Sequence, residues 1–509
     1  MKTRSFKLFV CLLLVFCFCL TTLVGCSREQ SEGEEVETTE AAGNNGGGEE
    51  SSDVETETQI NDSDELRDAD FGGAQFRILA RSDTNYEYLH DKNASKEISN
   101  AIYTREAEVE ERFNVEILVD EKAGSYKADC ELMKTYQTSV ASGFNDYSLV
   151  SNHMVAQATA SVNGYTANLA NMSDLNMQKE WWGEQFYESC CINGKFFIAV
   201  GDIGHTLYEY MQCIIFNKDM TDTYIKNADE TPVDLYQMVK DGDWTYEKLK
   251  DYTKLASTSA EEIGLLINGH ATRGLPLVFE VDLLTKDESR GYPVYSFPTT
   301  PSETYVTFAD DLLAFLNDTP QVVASTGIDN ADCGTPKFAE KKTMFYAQQL
   351  KEVTSEKVDG MNLGILPLPK YNDDQLEYHT VMRDSVTAVS VPKNVKNEDM
   401  AGLVTEAMCM YSYQNVRPAY VETVMKGQKL DTRMGEIFDM MRAGVVVEFL
   451  TMFNASIEGT PYSLLANLHE SSGATGTAGA YTTKYGEMQS KYQAGLKNIY
   501  KNAYGVTIE

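Results

Sequence analysis

Within eight residues the chain carries Asp202, His205 and Glu209, two carboxylates and an imidazole that on paper could hold a metal ion or act as an acid–base set. Either kind of chemistry needs more partners than these three. The six histidines include no pair at helical metal-ligand spacing, and there is no G-x-S-x-G, no phosphate-binding loop and no H-E-x-x-H. Carboxylates are too numerous for counting to exclude a glycosidase pair, but nothing in the sequence points to one. Beyond residue 26 the cysteines are Cys130, Cys190, Cys191, Cys213, Cys333 and Cys409. Their spacing matches no zinc pattern, and they read as scattered, mostly buried small side chains. The chain is therefore expected not to be an enzyme and to need no metal or cofactor. Asp202, His205 and Glu209 then become candidates for hinge and ligand contacts.

The stretch that must position them is Ile198–Met220. Two apolar strand candidates, one from Ile198 and one over Met211–Phe216, flank Gly201-Asp202-Ile203-Gly204. Glycines between strands suggest a place where backbone passes from one unit to another. In an extended strand Tyr208 and Tyr210 share a face and Glu209 opposes them. The two rings are expected to line a cleft at this crossing, with packing between the units as the alternative. A helix opens at Asn217 to Asp219.

Upstream, Phe76–Ala80, Ser95–Phe113, Val115–Leu118, Tyr126–Ala141 and Asp146–Val150 alternate strand, helix, strand, helix, strand. That is the pattern of a parallel sheet in an α/β lobe. Open α/β sheets bind ligands beyond the carboxyl ends of their strands. The rule nominates Arg81, Ser82 and Asp83 after the first strand, and Asn152 and His153 after the third. Further on, Tyr346 and Gln348 are read as following a strand of the second lobe, and Arg383, Asp384 and Ser385 as preceding another crossing. The prolines of Leu363–Tyr371 mark an extended edge or linker segment and not a central strand. Met400–Tyr413 reads as an amphipathic helix, and Tyr485, Met488, Tyr492, Leu496 and Tyr500 form a last helical stripe. Trp181, Trp182 and Trp244 are read as structural.

At 509 residues the chain is too long for one ordinary core, and a net charge of −34 without a basic patch disfavours nucleic acid. Much of the acid lies early, since residues 27–70 carry −14 and almost no apolar side chains. Such a segment cannot bury enough surface to fold and reads as an extended tether. Before it come Lys2, Arg4 and Lys7, an apolar run over Leu8–Leu20, and Leu23-Val24-Gly25-Cys26. These residues resemble a bacterial lipoprotein signal, which implies cleavage before Cys26 and lipid on its sulfur. An uncleaved anchor helix over Leu8–Gly25 is the alternative.

Several segments together resemble the extracellular solute-binding lipoproteins of ATP-binding-cassette importers, in particular the carbohydrate-type family of Gram-positive bacteria. They are Ala101–Arg105 through Glu111–Val115, Asp146–Val150, Phe216-Asn217-Lys218-Asp219-Met220 with Trp244-Thr245 and Leu249, Phe338–Phe345, Gly364–Lys370 and Val389–Pro392. About two dozen residues separate Met220 from Trp244, more than is usual, and Ala260–Ser302 and the tail after Phe453 match nothing in the family pattern. The resemblance implies a two-lobed α/β binding protein of type II, with mixed sheets flanked by helices and the ligand in a cleft at a multi-strand hinge. It implies lobe 1 at 71–205 plus 347–395 and lobe 2 at 206–346 plus 396–509, after a signal at 1–25 and a tether at 26–70. Crossings are expected near Gly201–Met211, Tyr346–Gly364 and Val391–Asn397. The expected ligand is a mono- or oligosaccharide and the expected partner a membrane permease. The expected form is a monomer, lipid-anchored on the outer face of the cytoplasmic membrane. A lipid-anchored glycan hydrolase or lyase, and a glycan-binding adhesin without a permease, are the alternatives.

Overall fold

The computed structural model describes residues 66–89, 96–143, 146–325, 334–428, 432–471 and 478–508. The expected signal, the lipidation site Cys26, most of the expected tether and Cys333 lie outside the described residues. The strands run in chain order β1 (Ala74–Arg81), β2 (Val115–Lys122), β3 (Leu149–His153), β4 (Gln212–Asn217) and β5 (Ile263–Asn268). There follow a short hairpin of β6 (Thr285–Asp287) and β7 (Val294–Ser296), then β8 (Val322–Ser325), β9 (Thr343–Gln349), β10 (Leu363–Pro367) and β11 (Thr387–Ser390).

Both faces of β1 are buried. Phe76, Ile78 and Ala80 join the main core, while Leu79 points the other way into a cluster with Leu132, Met133, Tyr136 and Val150. Side chains alternate along a strand, and a parallel sheet is stable when helices cover both its faces. The helix Lys96–Phe113 contributes Val109 and Phe113 to the main core, and the helix Glu131–Ser142 covers the opposite face. β1 pairs in parallel with β2 and β3, and β11 adds antiparallel to β3, so the first sheet has the order β11-β3-β1-β2.

The second sheet has the order β10-β4-β9-β5-β8. β5 is parallel to β8 and β9, and β4 is antiparallel to β9 and β10. Every residue of β4, β5 and β9 is buried. β10 takes the sheet edge, where Pro367, lacking an N–H, is tolerated opposite Cys213.

Three expectations about boundaries change. β9 and β10 both belong to the second sheet, so 347–395 does not form one block and the chain does not cross at Tyr346–Gly364. It crosses between β10 and β11. The region 396–509 is also divided: the helix Glu398–Tyr411 packs on Lys96–Phe113, whereas the helix Met434–Ala443 packs on β10. A helical stripe shows which face is buried but not against which sheet, which is why the pattern misassigned these helices. Finally, the expected tether does not extend to residue 70. Arg67 bonds both oxygens of Asp174 at 2.8 and 2.9 Å, and Leu66 offers its carbonyl to Arg112 at 2.7 Å.

Ile198–Met220 is not two strands joined by a loop. Ala199 makes a single bridge to Val389, and Thr206–Glu209 forms one helical turn whose Thr206 N donates to the Glu87 carboxylate at 2.8 Å. Tyr208 and Tyr210 therefore do not share a strand face. Gly201 is required by close packing: a Cβ there would lie 2.5 Å from the Trp182 ring, 2.7 Å from the Trp181 carbonyl and 2.9 Å from the Cys409 sulfur. The carbonyl belongs to the backbone, and the ring is pinned by Trp182 Nε1 donating to Glu406 at 2.7 Å. Gly201→Ala is expected to cost about 1–3 kcal/mol in overpacking. A thermal melt superimposable on that of the unaltered protein would refute this.

Candidate functional site

The parallel register sets Ala80 beside Ser151, so Arg81 and Asn152 emerge side by side at the carboxyl ends of β1 and β3. Arg81 is fully buried, with its Nε donating to Thr84 Oγ1 at 2.8 Å. Its Nη1 and Nη2 have no hydrogen-bond partner among the described residues, nor do either end of the buried Asn152 amide and Nδ1 of His153. Gly124, just beyond β2, closes over them: a Cβ there would lie 2.4 Å from Arg81 Cβ and 2.7 Å from Asn152 Oδ1.

The two crossings run alongside each other. Gln212 N donates to Val381 O at 2.8 Å and Arg383 N to Tyr210 O at 3.1 Å. Arg383 and Asp384 are half-buried here, and the Lys351 ammonium sits 5.0 Å from the centre of the Tyr210 ring. Arg383 Nε, Ser385 Oγ, Gln212 Oε1 and Gln349 Oε1 lack partners among the described residues.

From the second sheet comes the helix Gly269–Val278, which starts where β5 ends. Asn268 caps it, accepting from His270 N at 2.7 Å and Ala271 N at 2.9 Å. His270 and Arg273 are half-buried on its first turns.

Electrostatics tie these groups together. Burial, then the charges of Arg81 and Arg383, push the His153 imidazole down to about 3. Burial, then Arg383 and Arg273, do the same to His270, also to about 3. Both rings are neutral at pH 7, each able to donate one hydrogen bond and accept another. Burial raises the Asp384 carboxyl, opposed by Arg383 and Arg273. The arrangement offers neutral donors and acceptors beside fixed cations.

The structure thus brings together Arg81, Asn152, His153, Tyr210, Arg383 and Asp384. It places the other candidates elsewhere. Ser82 and Asp83 are exposed. Asp202 is fully buried in an ion pair with Arg442 at 2.9 Å. Tyr208 packs between Tyr420 and Phe438, with ring centres 5.3 and 5.6 Å away. Tyr346 stacks on Phe338 inside the second lobe. Gln348 stands at the carboxyl end of β9, but its amide is used by Tyr346 Oη at 2.8 Å, Gln349 N at 2.9 Å and Asn268. Glu209 accepts from Tyr86 Oη at 2.8 Å and faces His205 at 3.9 Å. Sequence reasoning missed Gly124, Gln212, Lys351, His270 and Arg273. The last two were within reach, because the apolar run Ile263–Ile267 followed by Asn268-Gly269 is a strand end opening a helix.

No family model matches the chain, and no curated protein matches it. Among solved structures it is similar to a cyclo/maltodextrin-binding protein crystallised with maltotetraose, at 12% identity and a TM-score of 0.51, over 85% of this chain and 97% of that one. This is the two-lobed type II binding-protein fold. The GacH receptor of Streptomyces glaucescens GLA.O is also similar, at 12% identity and a TM-score of 0.48, over 86% of this chain and all of that one. In the binding-protein fold of this chain, each sheet presents strand carboxyl ends to the crossing strands. No group of three or more His, Cys, Asp or Glu able to hold a metal ion occurs among the described residues. Among those residues, too, no helix is long and apolar enough to cross a membrane.

Proposed function

We propose that the chain is a solute receptor that closes its two lobes on a small ligand, a saccharide, and delivers it to an ATP-binding-cassette permease. One observation carries the reading. Unpartnered polar atoms from the carboxyl ends of the first sheet converge with others from the crossing strands, next to the helix that follows β5. Buried polar groups cost stability unless paired, and their concentration at one place between two sheets is what a ligand site requires. The saccharide class is supported by the sequence resemblance and by the maltotetraose bound to the similar protein. Export, lipid attachment through Cys26 and a position on the outer membrane face complete the proposal, in which the receptor works as a monomer.

A thermal-shift screen of the purified protein against mono- and oligosaccharides and peptides tests it, because a ligand that binds only the folded state raises the melting temperature. Small-angle scattering with and without the hit should show closure. A shift with peptides and none with sugars overturns the saccharide class. Binding to polymer without closure favours the adhesin, and turnover of a glycan favours the enzyme.

A further inference from the structure

We propose that the ligand carries a carboxylate and that Arg81 holds it end-on, which makes the solute an acidic saccharide: a uronic acid or an oligosaccharide bearing one. This deepens the receptor reading above and rests on it.

The side chain of Arg81 is fully buried at the carboxyl end of β1. A guanidinium stays charged at any pH a protein meets, so burial cannot neutralise it as it can a lysine. A buried charge without a counter-charge is strongly destabilising. Yet among the described residues only Nε has a hydrogen-bond partner, Thr84 Oγ1, and both terminal nitrogens are left over. Asp83 lies 3.7 Å from Nε, on the edge already occupied, with its side chain 57% exposed, and the buried Glu87 spends its carboxylate on Thr206 N and Thr387 Oγ1. The free Nη1 and Nη2 form the planar end of the fork, whose spacing matches the two oxygens of a carboxylate.

The surroundings agree. Arg383 adds a second cation whose Nε has no partner among the described residues, and the charges of both arginines hold the His153 imidazole down. Asp384, the carboxylate of this group, faces Arg383 and Arg273. Asn152 and the neutral His153 provide uncharged donors and acceptors of the kind hydroxyl groups need. Among the described residues no carboxylate closes the Arg81 fork.

Isothermal titration of the purified protein tests this. The probes are galacturonate, glucuronate and digalacturonate, their neutral counterparts galactose, glucose and galactobiose, the methyl ester of galacturonate, and galactose 1-phosphate. Uronates are expected to bind, and the neutral sugars and the ester to bind roughly tenfold or more weakly, since both lose the charge-assisted pair. Arg81→Met should erase the difference between acid and ester. The ester comparison uses the unaltered protein and decides the matter where the variant does not fold. Neutral sugars binding as tightly as uronates would overturn the carboxylate assignment and leave the receptor reading standing. Preference for the sugar phosphate over uronates would overturn it in the same way. Absence of binding by every saccharide, acidic and neutral, would overturn both.

Discussion

Arg442→Met is expected to destabilise the protein by about 3–5 kcal/mol, the usual cost of removing one partner from a buried ion pair. Asp202 is fully buried, and the Arg442 side chain is 7% exposed. Arg442 Nε and Nη2 both reach Asp202 Oδ1 at 2.9 Å, and Nη2 also donates to the Glu180 carbonyl at 3.2 Å. Burial already pushes the Asp202 carboxyl up, and the Arg442 charge is the main force opposing it. Without Arg442 the carboxylate would keep only the weaker help of Tyr208 and the Arg417 charge, and the Tyr208 phenol is itself raised by burial and by Asp202. The pair also has an architectural role. It ties the crossing segment to the helix Met434–Ala443, which packs on β10 of the second sheet. Urea unfolding of the single variant and of the double variant Asp202→Asn, Arg442→Met checks this. The double variant should recover part of the loss, because the orphan charge is gone. A single variant within about 0.5 kcal/mol of the unaltered protein would show that the pair contributes little.

Glu406→Ala should cost about 3 kcal/mol at neutral pH, because two buried indole donors and a part-buried backbone N–H lose their acceptor together. Trp181 Nε1 donates to one carboxylate oxygen at 2.8 Å; Trp182 Nε1 at 2.7 Å and Asn176 N at 3.1 Å donate to the other. The same group gives a pH dependence. Burial raises the Glu406 carboxyl from 4.5 to about 7, against the pull of its hydrogen bonds from Trp182, Trp181 and Asn176. A carboxyl that binds its proton more tightly when folded stabilises the fold fully below its unfolded pKa. That contribution is lost as pH rises through the folded value. Between pH 4.5 and about 7 the loss is on the order of 3 kcal/mol. Glu406→Gln has no such proton, so its stability should lack this slope. Urea midpoints for both proteins at several pH values from 5 to 8 would decide, and parallel profiles would contradict the assignment.

These two clamps show where sequence reading ran out. Trp181 and Trp182 were readable as structural, but nothing in the chain pointed to Glu406, 225 residues away from Trp181. Asp202 looked like a site residue because Arg442 lies 240 residues further on. A lone carboxylate in sequence carries no sign of whether a distant cation will neutralise it.

Local physics is what the sequence alone determined. Burial of both faces of β1, the helix over Lys96–Phe113 and the proline-marked edge strand β10 all follow from the spacing of apolar residues and from the N–H that proline lacks. The strand-end rule nominated Arg81, Asn152 and His153, since it needs only the place where an apolar run stops, and Arg383 and Asp384 were nominated by the crossing they precede. Tertiary structure alone decided that the two terminal nitrogens of Arg81 have no partner among the described residues while Arg442 is paired with Asp202. It also decided that Gly124, His270 and Arg273 join the site, and that the C-terminal helices are shared between the sheets. The physical reason is common to all of these. Periodicity encodes which side of an element is buried, whereas partnership between side chains far apart in sequence is settled only when the sheets and helices pack.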